Sequence, residues 1–262
     1  MKLTADSITF AYVAGHDVLR DVTVSVDAGE VLFVLGANGS GKTTLLDCLA
    51  GLRAPHRGHV FVDGDPIERI PLNERAKHIG VVPQIHEPVF DYTVGEVVLM
   101  GRAPHLGLFA RPGRRDREAV ERALDAVGLK GLRGRVYTEI SGGERQLALI
   151  ARGLAQGAAC LLMDEPAAHL DPHHQRDIFA AVSNLAADGF SFVVTSHQPN
   201  NALLYSDRVA FLIDGRVEAC GAPAETMTEE ALESAYGIDF ELIRGANGSR
   251  AILPRVSRGV RS

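Results

Sequence analysis

The apolar positions in the first part of the chain predict short strands followed by one helix. Residues 3–11 and 22–26 alternate apolar and polar side chains, as paired strands do, and residues 30–35 are almost continuously apolar. A glycine-rich turn follows, after which the apolar spacing predicts a helix over residues 42–52. Two further short strands are predicted at residues 58–62 and 80–82. This part of the chain is therefore expected to be mixed β and α/β structure.

The pattern changes to helical spacing between residues 87 and 156. Three helices are predicted there, at residues 93–100, 115–127 and 143–155, with almost no strand signal. Strand-like runs return at residues 160–163 and 190–195, and the helix predicted between them at 172–187 completes a βαβ unit. We therefore interpret the central segment as a helical subdomain inserted into an α/β core.

The remaining residues predict a hairpin, a short helix and a tail. Residues 209–213 and 216–220 flank an Asp-Gly turn, and a helix is predicted at 228–236. Residues 245–262 contain arginines and little periodicity, which favours a loose tail over a membrane-surface patch. We expect one domain with three parts: a core formed by 1–86 and 159–240, a helical subdomain at 87–158, and a C-terminal tail at 241–262.

Composition narrows the class of protein. The chain has 262 residues, a net charge of −6, 46% hydrophobic and 23% charged residues, so we expect a globular protein without general affinity for nucleic acid. The longest apolar runs are too short to cross a bilayer, and the N-terminus lacks the pattern of a signal peptide. Three scattered cysteines without CxxC spacing suggest neither a disulfide framework nor a zinc site.

A phosphate-binding motif lies between the predicted strand 30–35 and the helix that follows it. Residues 36–43 match the P-loop pattern G-x-x-x-x-G-K-[ST] at every fixed position. In such a loop, backbone N–H groups wrap the β-phosphate, the lysine neutralises phosphate oxygens and the hydroxyl ligates Mg²⁺, while Thr44 either touches the α-phosphate or caps the helix. The expected nucleotide-binding residues are Gly36, Asn38, Gly39, Ser40, Gly41, Lys42, Thr43 and Thr44.

Two carboxylates end the apolar strand at residues 160–163. Asp164 is placed to hold a magnesium ion, and Glu165 to polarise a water for in-line attack on a γ-phosphate. A solvated strand end would be the better interpretation of an isolated Asp-Glu pair, but the P-loop favours the catalytic one. His197 follows the next predicted strand, and ligands bind outside the carboxyl ends of parallel strands. Gly36, Asp164 and His197 are therefore expected to converge on one γ-phosphate.

A second anion site is predicted at residues 140–146, which read Ile-Ser-Gly-Gly-Glu-Arg-Gln. Ser141 is a favourable helix N-cap, the glycines leave backbone N–H groups bare, and residues 144–154 form helix readily, so this segment offers an anion the positive end of a helix. A helix start on the inserted subdomain cannot easily fold back onto the P-loop of its own core. The second anion site therefore suggests an interface with another subunit.

The order of these motifs resembles that of the ATP-binding-cassette (ABC) ATPases, up to about residue 240. The resemblance implies an α/β P-loop NTPase fold, in which a mixed-sheet core carries an antiparallel β subdomain and an inserted helical subdomain. It also implies roles for further residues. Gln84 matches the Q-loop, Asp171 the D-loop and His197 the switch histidine, and Tyr12 lies where the family has an aromatic residue that stacks on adenine.

The resemblance implies a composite site with ATP and Mg²⁺ as cofactors. The signature residues Ser141, Gly142, Gly143 and Glu144 would contact the ATP of a partner subunit, in a head-to-tail homodimer. The implied magnesium ligands are Thr43, Gln84 and Asp164, and the implied catalytic residues are Glu165 and His197. ATP binding would close the dimer and hydrolysis would release it.

Three positions depart from the commonest family pattern. Ile140 replaces a leucine and Ala167 a threonine, which are conservative packing changes. Gln198 replaces an aspartate after the histidine, so the charge near His197 is less negative. None of the three removes a catalytic group.

The expected partners are two transmembrane permease subunits and, indirectly, a substrate-binding protein, with the chain peripheral on the cytoplasmic face of the inner membrane. Three apolar segments after Gln84 were candidates for the permease dock: residues 88–90, 97–100 and 106–109. Subdomain core is the alternative interpretation of most of them. Transport requires separate membrane subunits because no predicted segment spans a bilayer.

Three short runs resemble the metal-chelate importers, which handle iron-siderophores, haem, cobalamin and, in one branch, molybdate. They are residues 100–105, the Ser-Gly-Gly-Glu-Arg-Gln form of the signature, and His-Gln-Pro-Asn at 197–200. An iron chelate is the favoured cargo, and a molybdate-type oxyanion remains open. Two other classes are alternatives: a soluble ABC ATPase of DNA repair or translation, and a P-loop kinase, which would leave residues 141–146 unexplained.

Overall fold

The structure, a computed structural model, describes residues 1–84, 91–107, 109–245 and 250–255. The strands are β1 (Leu3–Ala11), β2 (Asp17–Val26), β3 (Val31–Leu35), β4 (Arg57–Val62), β5 (Asp65–Pro66), β6 (Ile79–Val82), β7 (Cys160–Asp164), β8 (Ser191–Ser196), β9 (Arg208–Ile213), β10 (Arg216–Gly221), β11 (Phe240–Arg244) and β12 (Arg250–Pro254). The α-helices are α1 (Lys42–Leu49), α2 (Leu72–His78), α3 (Val94–Leu99), α4 (Arg114–Ala126), α5 (Gly142–Gln156), α6 (Pro172–Ala187), α7 (Pro199–Tyr205), α8 (Pro223–Thr226) and α9 (Glu229–Tyr236). Short 3₁₀ segments lie at Ile67–Arg69, Met100–His105, Lys130–Leu132 and Tyr137–Glu139.

A six-stranded sheet in the order β10-β9-β3-β8-β7-β6 forms the centre of the core. Its strands are parallel except β10, which pairs antiparallel with β9. Strand β3 is buried on both faces: Phe33 packs among the helices on one side, and Val34 faces the other sheet. Burial on both faces explains why this strand is continuously apolar rather than alternating.

An antiparallel sheet in the order β2-β1-β4-β5 covers one face of the central sheet. Its inward side chains, such as Ile8 and Val60, form one hydrophobic cluster with α1 and the facing side of the central sheet. The opposite face packs against α5 and α6 in a second cluster. The expected mixed-sheet core with an antiparallel β subdomain is confirmed.

Helices α3, α4 and α5 form the inserted helical subdomain. Val97 and Leu124 are fully buried between them, so residue 97 belongs to the subdomain core, in line with the alternative interpretation of the apolar run at 97–100. Met100 and Phe109 are exposed, while residues 85–90 and Leu108 lie outside the described residues. No helix in the described part of the chain is both long and apolar enough to cross a membrane.

The prediction of a loose tail over residues 245–262 is wrong for Arg250–Pro254, which form β12. Strands β11 and β12 pair antiparallel, with Leu242 opposite Ile252. Ile252 is 1% exposed and packs in the main core cluster. Because one fully buried position in five residues produces no readable periodicity, the pattern of the sequence could not reveal this strand. Residues 246–249 and 256–262 lie outside the described residues.

Candidate active site

The carboxyl ends of three neighbouring parallel strands meet at one edge of the central sheet. Leu35 at the end of β3 lies opposite Ser196 of β8, and Asp164 at the end of β7 lies opposite Thr195. A cavity of about 570 Å³ opens at this edge. Its lining comprises Val18, Asn38, Gly39, Gly41, Lys42, Thr43, Thr44, Gln84, Asp164, Glu165, His169 and His197.

The P-loop side of the cavity is organised around a buried lysine. Lys42 is 6% exposed, and its Nζ donates to the carbonyl oxygens of Gly36 at 2.9 Å and Ala37 at 3.0 Å. Burial lowers the pKa of Lys42, an effect opposed by the negative charges of Glu165 and Asp164. The ammonium is therefore held by neutral carbonyls, with Oε1 of Glu165 3.8 Å away. When a nucleotide enters, the ammonium group of Lys42 can exchange these carbonyl acceptors for phosphate oxygens.

Gly36 and Ser40 show why the loop needs small residues. A Cβ at Gly36 would collide with the carbonyl oxygen of Leu212, so only glycine allows this close approach. The same Cβ would lie 2.8 Å from Oγ of Ser40, a buried hydroxyl oxygen with no hydrogen-bond partner among the described residues. A buried hydroxyl without a partner is costly, and a bound phosphate would supply the missing acceptor.

Two threonine hydroxyls fix the carboxylate of Asp164. Thr43 Oγ1 donates to Oδ2 at 2.8 Å, and Thr195 Oγ1 donates to Oδ1 at 2.6 Å. Thr195, which is fully buried, also accepts from the backbone N–H of Glu165 at 2.9 Å. Thr195 therefore orients both acidic residues. Thr195 lies at the end of the strand predicted at residues 190–195, two residues before His197, but only its hydrogen bonds reveal its role.

Glu165 and His197 form a pair above the lysine. Nδ1 of His197 lies 2.9 Å from Oε2 of Glu165, while the other carboxylate oxygen faces Lys42. Glu165 has a φ of 44°, in the left-handed region that non-glycine residues rarely adopt. Backbone strain of this kind persists where the surrounding structure holds it, and it concentrates at functional sites. The residue held in this conformation lines the cavity.

Tyr12 lies beside the cavity rather than in its lining. Its hydroxyl is 3.1 Å from Oγ1 of Thr44, which places the ring next to the P-loop helix α1. The guanidinium of Arg53 lies over the ring, 4.6 Å from its centroid, and Asp47 holds that guanidinium by an ion pair of 2.8 Å. The ring is 54% exposed and therefore has surface free for a planar group. Sequence reasoning missed Arg53, which has no motif around it.

The structure also places two residues in the cavity that the sequence did not single out. Val18 comes from the second residue of β2, and no local pattern marks it. His169 lies in the turn between Glu165 and Asp171 and has a φ of 62°. Its position next to the predicted D-loop was the available signal for it. Gln84 lines the cavity as the resemblance implied.

The predicted signature segment starts α5 but does not line the cavity of the described chain. Ser141 Oγ accepts from the backbone N–H of Glu144 at 3.3 Å, and Glu144 Oε2 accepts from the N–H of Ser141 at 2.7 Å. This capping box leaves the N–H groups of the two glycines at the helix start without intrahelical partners. A Cβ at Gly143 would collide with the ring of His174, so the glycine is required there.

Asp171 lies at the start of α6, close to this region. It caps α6 by accepting from the backbone N–H of His173 at 2.9 Å and of His174 at 3.1 Å. Its other oxygen lies 2.6 Å from Nδ1 of His174, the residue that packs against Gly143. The hydrogen bonds from the backbone and side chain of His174 lower the pKa of Asp171. Asp171 thus contacts the start of α5 indirectly, through His174, and follows His169 of the cavity lining by two residues.

The fold and the cavity define a nucleotide-hydrolysing P-loop protein of the cassette type, and comparison with known proteins identifies the family. The ABC transporter family matches residues 19–168. The ferric enterobactin transport ATP-binding protein FepC of Escherichia coli (strain K12) is 37% identical over 243 residues, covering 92% of this chain and 89% of that protein. The hemin import ATP-binding protein HmuV of Pseudomonas putida is 42% identical over 229 residues, covering 86% of this chain and 88% of that protein.

Solved structures agree with this result. A metal-chelate type ABC transporter in an inward-facing conformation matches with a TM-score of 0.85 and 30% identity, covering 97% of each chain. The dimeric bacterial ABC transporter cassette MJ0796 matches with a TM-score of 0.71 and 28% identity, covering 84% of this chain and 98% of that one. The chain belongs to the ABC transporter family. It is an ATP-binding subunit with ATPase activity, which sets aside the P-loop kinase.

Proposed function

We propose that this chain is the ATPase subunit of an importer for an iron chelate, such as a ferric siderophore or haem. It would act as a homodimer on the cytoplasmic face of the inner membrane, with two permease subunits and, indirectly, a substrate-binding protein. Relatives named for ferric enterobactin and hemin support the cargo class. Both are iron held in an organic chelate, which favours this class over a molybdate-type oxyanion.

The single observation that carries the proposed homodimeric ATPase is the separation of the two anion-binding elements. The start of α5 presents two glycine N–H groups, yet Ser141, Gly142 and Gly143 are not among the residues that line the P-loop cavity. A helix N-terminus of this kind favours a phosphate. A head-to-tail dimer brings the start of α5 from one subunit over the cavity of the other, so that each ATP is held by two chains. The dimeric cassette among the related structures supports a dimer.

The donor set at the cavity fits a magnesium ion. Thr43, Asp164 and Gln84 supply hydroxyl, carboxylate and amide oxygens, and Mg²⁺ prefers oxygen ligands from a few side chains together with substrate phosphates. When bound, Mg²⁺ would neutralise charge on the β- and γ-phosphate oxygens. The carboxylate of Asp164 is already oriented for this by Thr43 and Thr195.

The chain's own residues divide the hydrolysis between them. Lys42 would move from the carbonyls of Gly36 and Ala37 to the γ-phosphate oxygens, and the P-loop N–H groups would hold the β-phosphate. Glu165 would orient and deprotonate the attacking water, because its carboxylate is 14% exposed and aimed into the cavity. His197, bonded to that carboxylate, would contact the γ-phosphate and report its presence.

A groove at the junction of the core and the helical subdomain is the dock that we propose for the permease. It has a volume of about 390 Å³ and is lined by Ala50 and Leu52, which follow the end of α1, and by residues of α2, β6, α5 and the 3₁₀ segment Met100–His105. Three large apolar side chains are exposed along it: Leu52 at 61%, Leu72 at 68% and Met100 at 41%. A partner bound there would contact both the core and the helical subdomain. Any movement of one relative to the other would therefore move the partner.

The charges in the groove indicate the chemistry of its occupant. Arg75 donates to the carbonyl oxygens of Gly51 at 2.6 Å and Ile70 at 3.2 Å, and Arg152 donates to that of Val81 at 3.5 Å. Within the described residues, neither guanidinium forms an ion pair with a carboxylate, and burial lowers the pKa of Arg152. A helix of the permease with apolar side chains and one carboxylate would complement this groove.

Leu72→Asp should uncouple transport from ATP binding. A buried leucine contact contributes about 1.5–3 kcal/mol, so we expect the association with permease vesicles to weaken by about tenfold or more and uptake to fall with it. ATP affinity of the purified subunit should stay at the wild-type value, since the groove is separate from the cavity. Leu204→Asp, at an equally exposed leucine of α7, is the matched control. Wild-type uptake by the Leu72 variant would contradict the dock.

A further inference from the structure

The C-terminal hairpin is bonded to the helix that follows the switch histidine. The side chain of Asn200 accepts from the backbone N–H of Ile252 at 2.8 Å and donates to the carbonyl oxygen of the same residue at 2.9 Å. The side-chain amide of Asn200 thus makes the two hydrogen bonds to the edge of β12 that a neighbouring strand would make. Asn200 lies in the first turn of α7, three residues after His197. The position of the hairpin therefore bears on the position of His197.

A second contact joins the same part of the chain to the P-loop. The hydroxyl oxygen of Tyr236, at the end of α9, is buried and makes no full hydrogen bond within the described residues, although the backbone N–H of Gly36 lies beside it. Burial raises the pKa of this phenol, the Gly36 N–H opposes that shift, and the charge of Glu165 adds to it. The hydroxyl thus stays protonated next to the first glycine of the P-loop, and it is close enough to Glu165 for that charge to raise its pKa.

Helix α9 and the hairpin form one packed unit. Glu229 at the start of α9 accepts from the backbone N–H of Leu242 at 3.1 Å and pairs with Arg255 at 3.0 Å. The ring of Tyr236 packs edge-on against Phe240, with 5.6 Å between centroids. Phe240 and Ile252 are buried in the main core cluster. A displacement at the contact of Tyr236 with Gly36 would consequently be transmitted to the contact of Asn200 with Ile252, and the reverse.

We propose that α9, β11 and β12 brace the ATPase site, with Tyr236 and Asn200 as positioning residues for Gly36 and His197. The unit lies outside residues 19–168, where the family match falls, and its role is independent of the cargo. Oγ of Ser40, a second buried hydroxyl oxygen without a partner among the described residues, also lies close to Gly36, so a bound phosphate would change the contacts of this peptide. Precise placement of such groups governs the reaction rate more than it governs stability.

Tyr236→Phe isolates the hydroxyl. The variant should unfold at the wild-type temperature to within about 2 °C, since removal of an unsatisfied buried oxygen is close to neutral. We expect kcat for ATP hydrolysis by the purified chain to fall about tenfold, with KM within about twofold, because a misplaced group costs rate rather than ground-state binding. Tyr205→Phe removes the same atom from a tyrosine stacked on Phe179 and should keep the wild-type kcat. Wild-type kcat in the Tyr236 variant would overturn its role.

Asn200→Ala tests the other contact. We expect kcat to fall about tenfold with ATP affinity retained, because α7 loses its tether while the P-loop stays intact. Arg255→Ala is the matched control, since it loosens the hairpin from α9 without touching α7. An equal loss in both variants would mean general loosening and would overturn the role of Asn200, as would no loss in either. The unchanged chain is measured in the same assay, and its turnover tests the proposed ATPase separately from the role of the hairpin. None of these measurements requires the permease.

Discussion

Glu165→Gln should stop ATP turnover and leave a chain that dimerises when ATP is added. Glutamine keeps the shape of the side chain and cannot take a proton from water, so we expect kcat to fall by about a thousandfold, within the range of general-base effects. Binding should survive because the P-loop, Lys42 and Asp164 keep their contacts. The γ-phosphate then stays in place and holds the closed state.

Two measurements check this expectation. Phosphate release gives the turnover, and light scattering gives the mass with and without ATP and Mg²⁺. Glu139→Gln makes the same chemical change outside the cavity, at the end of a 3₁₀ segment, and should behave as the wild type. Substantial turnover in the Glu165 variant would remove this residue from the role of general base. A variant that binds ATP and stays monomeric would count against dimer closure.

Ser141→Arg should abolish hydrolysis while the isolated chain still binds ATP. Arginine removes the capping box at the start of α5 and places a long side chain where the partner's γ-phosphate would lie. The lost cap costs about 1 kcal/mol of stability, which is too little to unfold the chain. We expect no ATP-dependent dimer and no measurable turnover, with the Kd for ATP of the monomer within about twofold of wild type.

Thr93→Arg is the matched control for this variant. Thr93 and Glu96 form the capping box of α3 in the same helical subdomain, so their loss imposes a similar stability cost. Thr93 does not line the nucleotide cavity. Equilibrium binding of a fluorescent ATP analogue gives the Kd, and the control should retain both dimerisation and turnover. Normal turnover in the Ser141 variant would show that the start of α5 does not contact ATP.

The nucleotide-binding half of the site could be predicted from the sequence because its parts are local. The P-loop has fixed spacing, and Asp164, Glu165 and His197 each follow an apolar strand. The rule that parallel strands end at one edge was enough to bring them together, and the register confirms it. Thr195 could not be assigned in this way, because its two hydrogen bonds cross between strands.

The elements that the sequence did not predict carry no readable local pattern, for three reasons. Helix α2 has no buried residue, so hydrophobic periodicity carried no signal for it. Helix α7 is seven residues long and α8 four, which is too short for a readable pattern. The β11–β12 hairpin is held largely by contacts to distant residues, such as Asn200 with Ile252, that no window of sequence contains.

The composite site is the central claim, and a mixture of two defective chains tests it most directly. One chain carries Lys42→Ala and the other Ser141→Arg, both in the Glu165→Gln background. In a head-to-tail dimer of the two, one site has both defects and the other has an intact P-loop and an intact signature. Neither chain alone should dimerise with ATP and Mg²⁺. The mixture should reach roughly twice the 28.1 kDa chain mass by light scattering. A mixture that stays at the monomer mass would contradict the account.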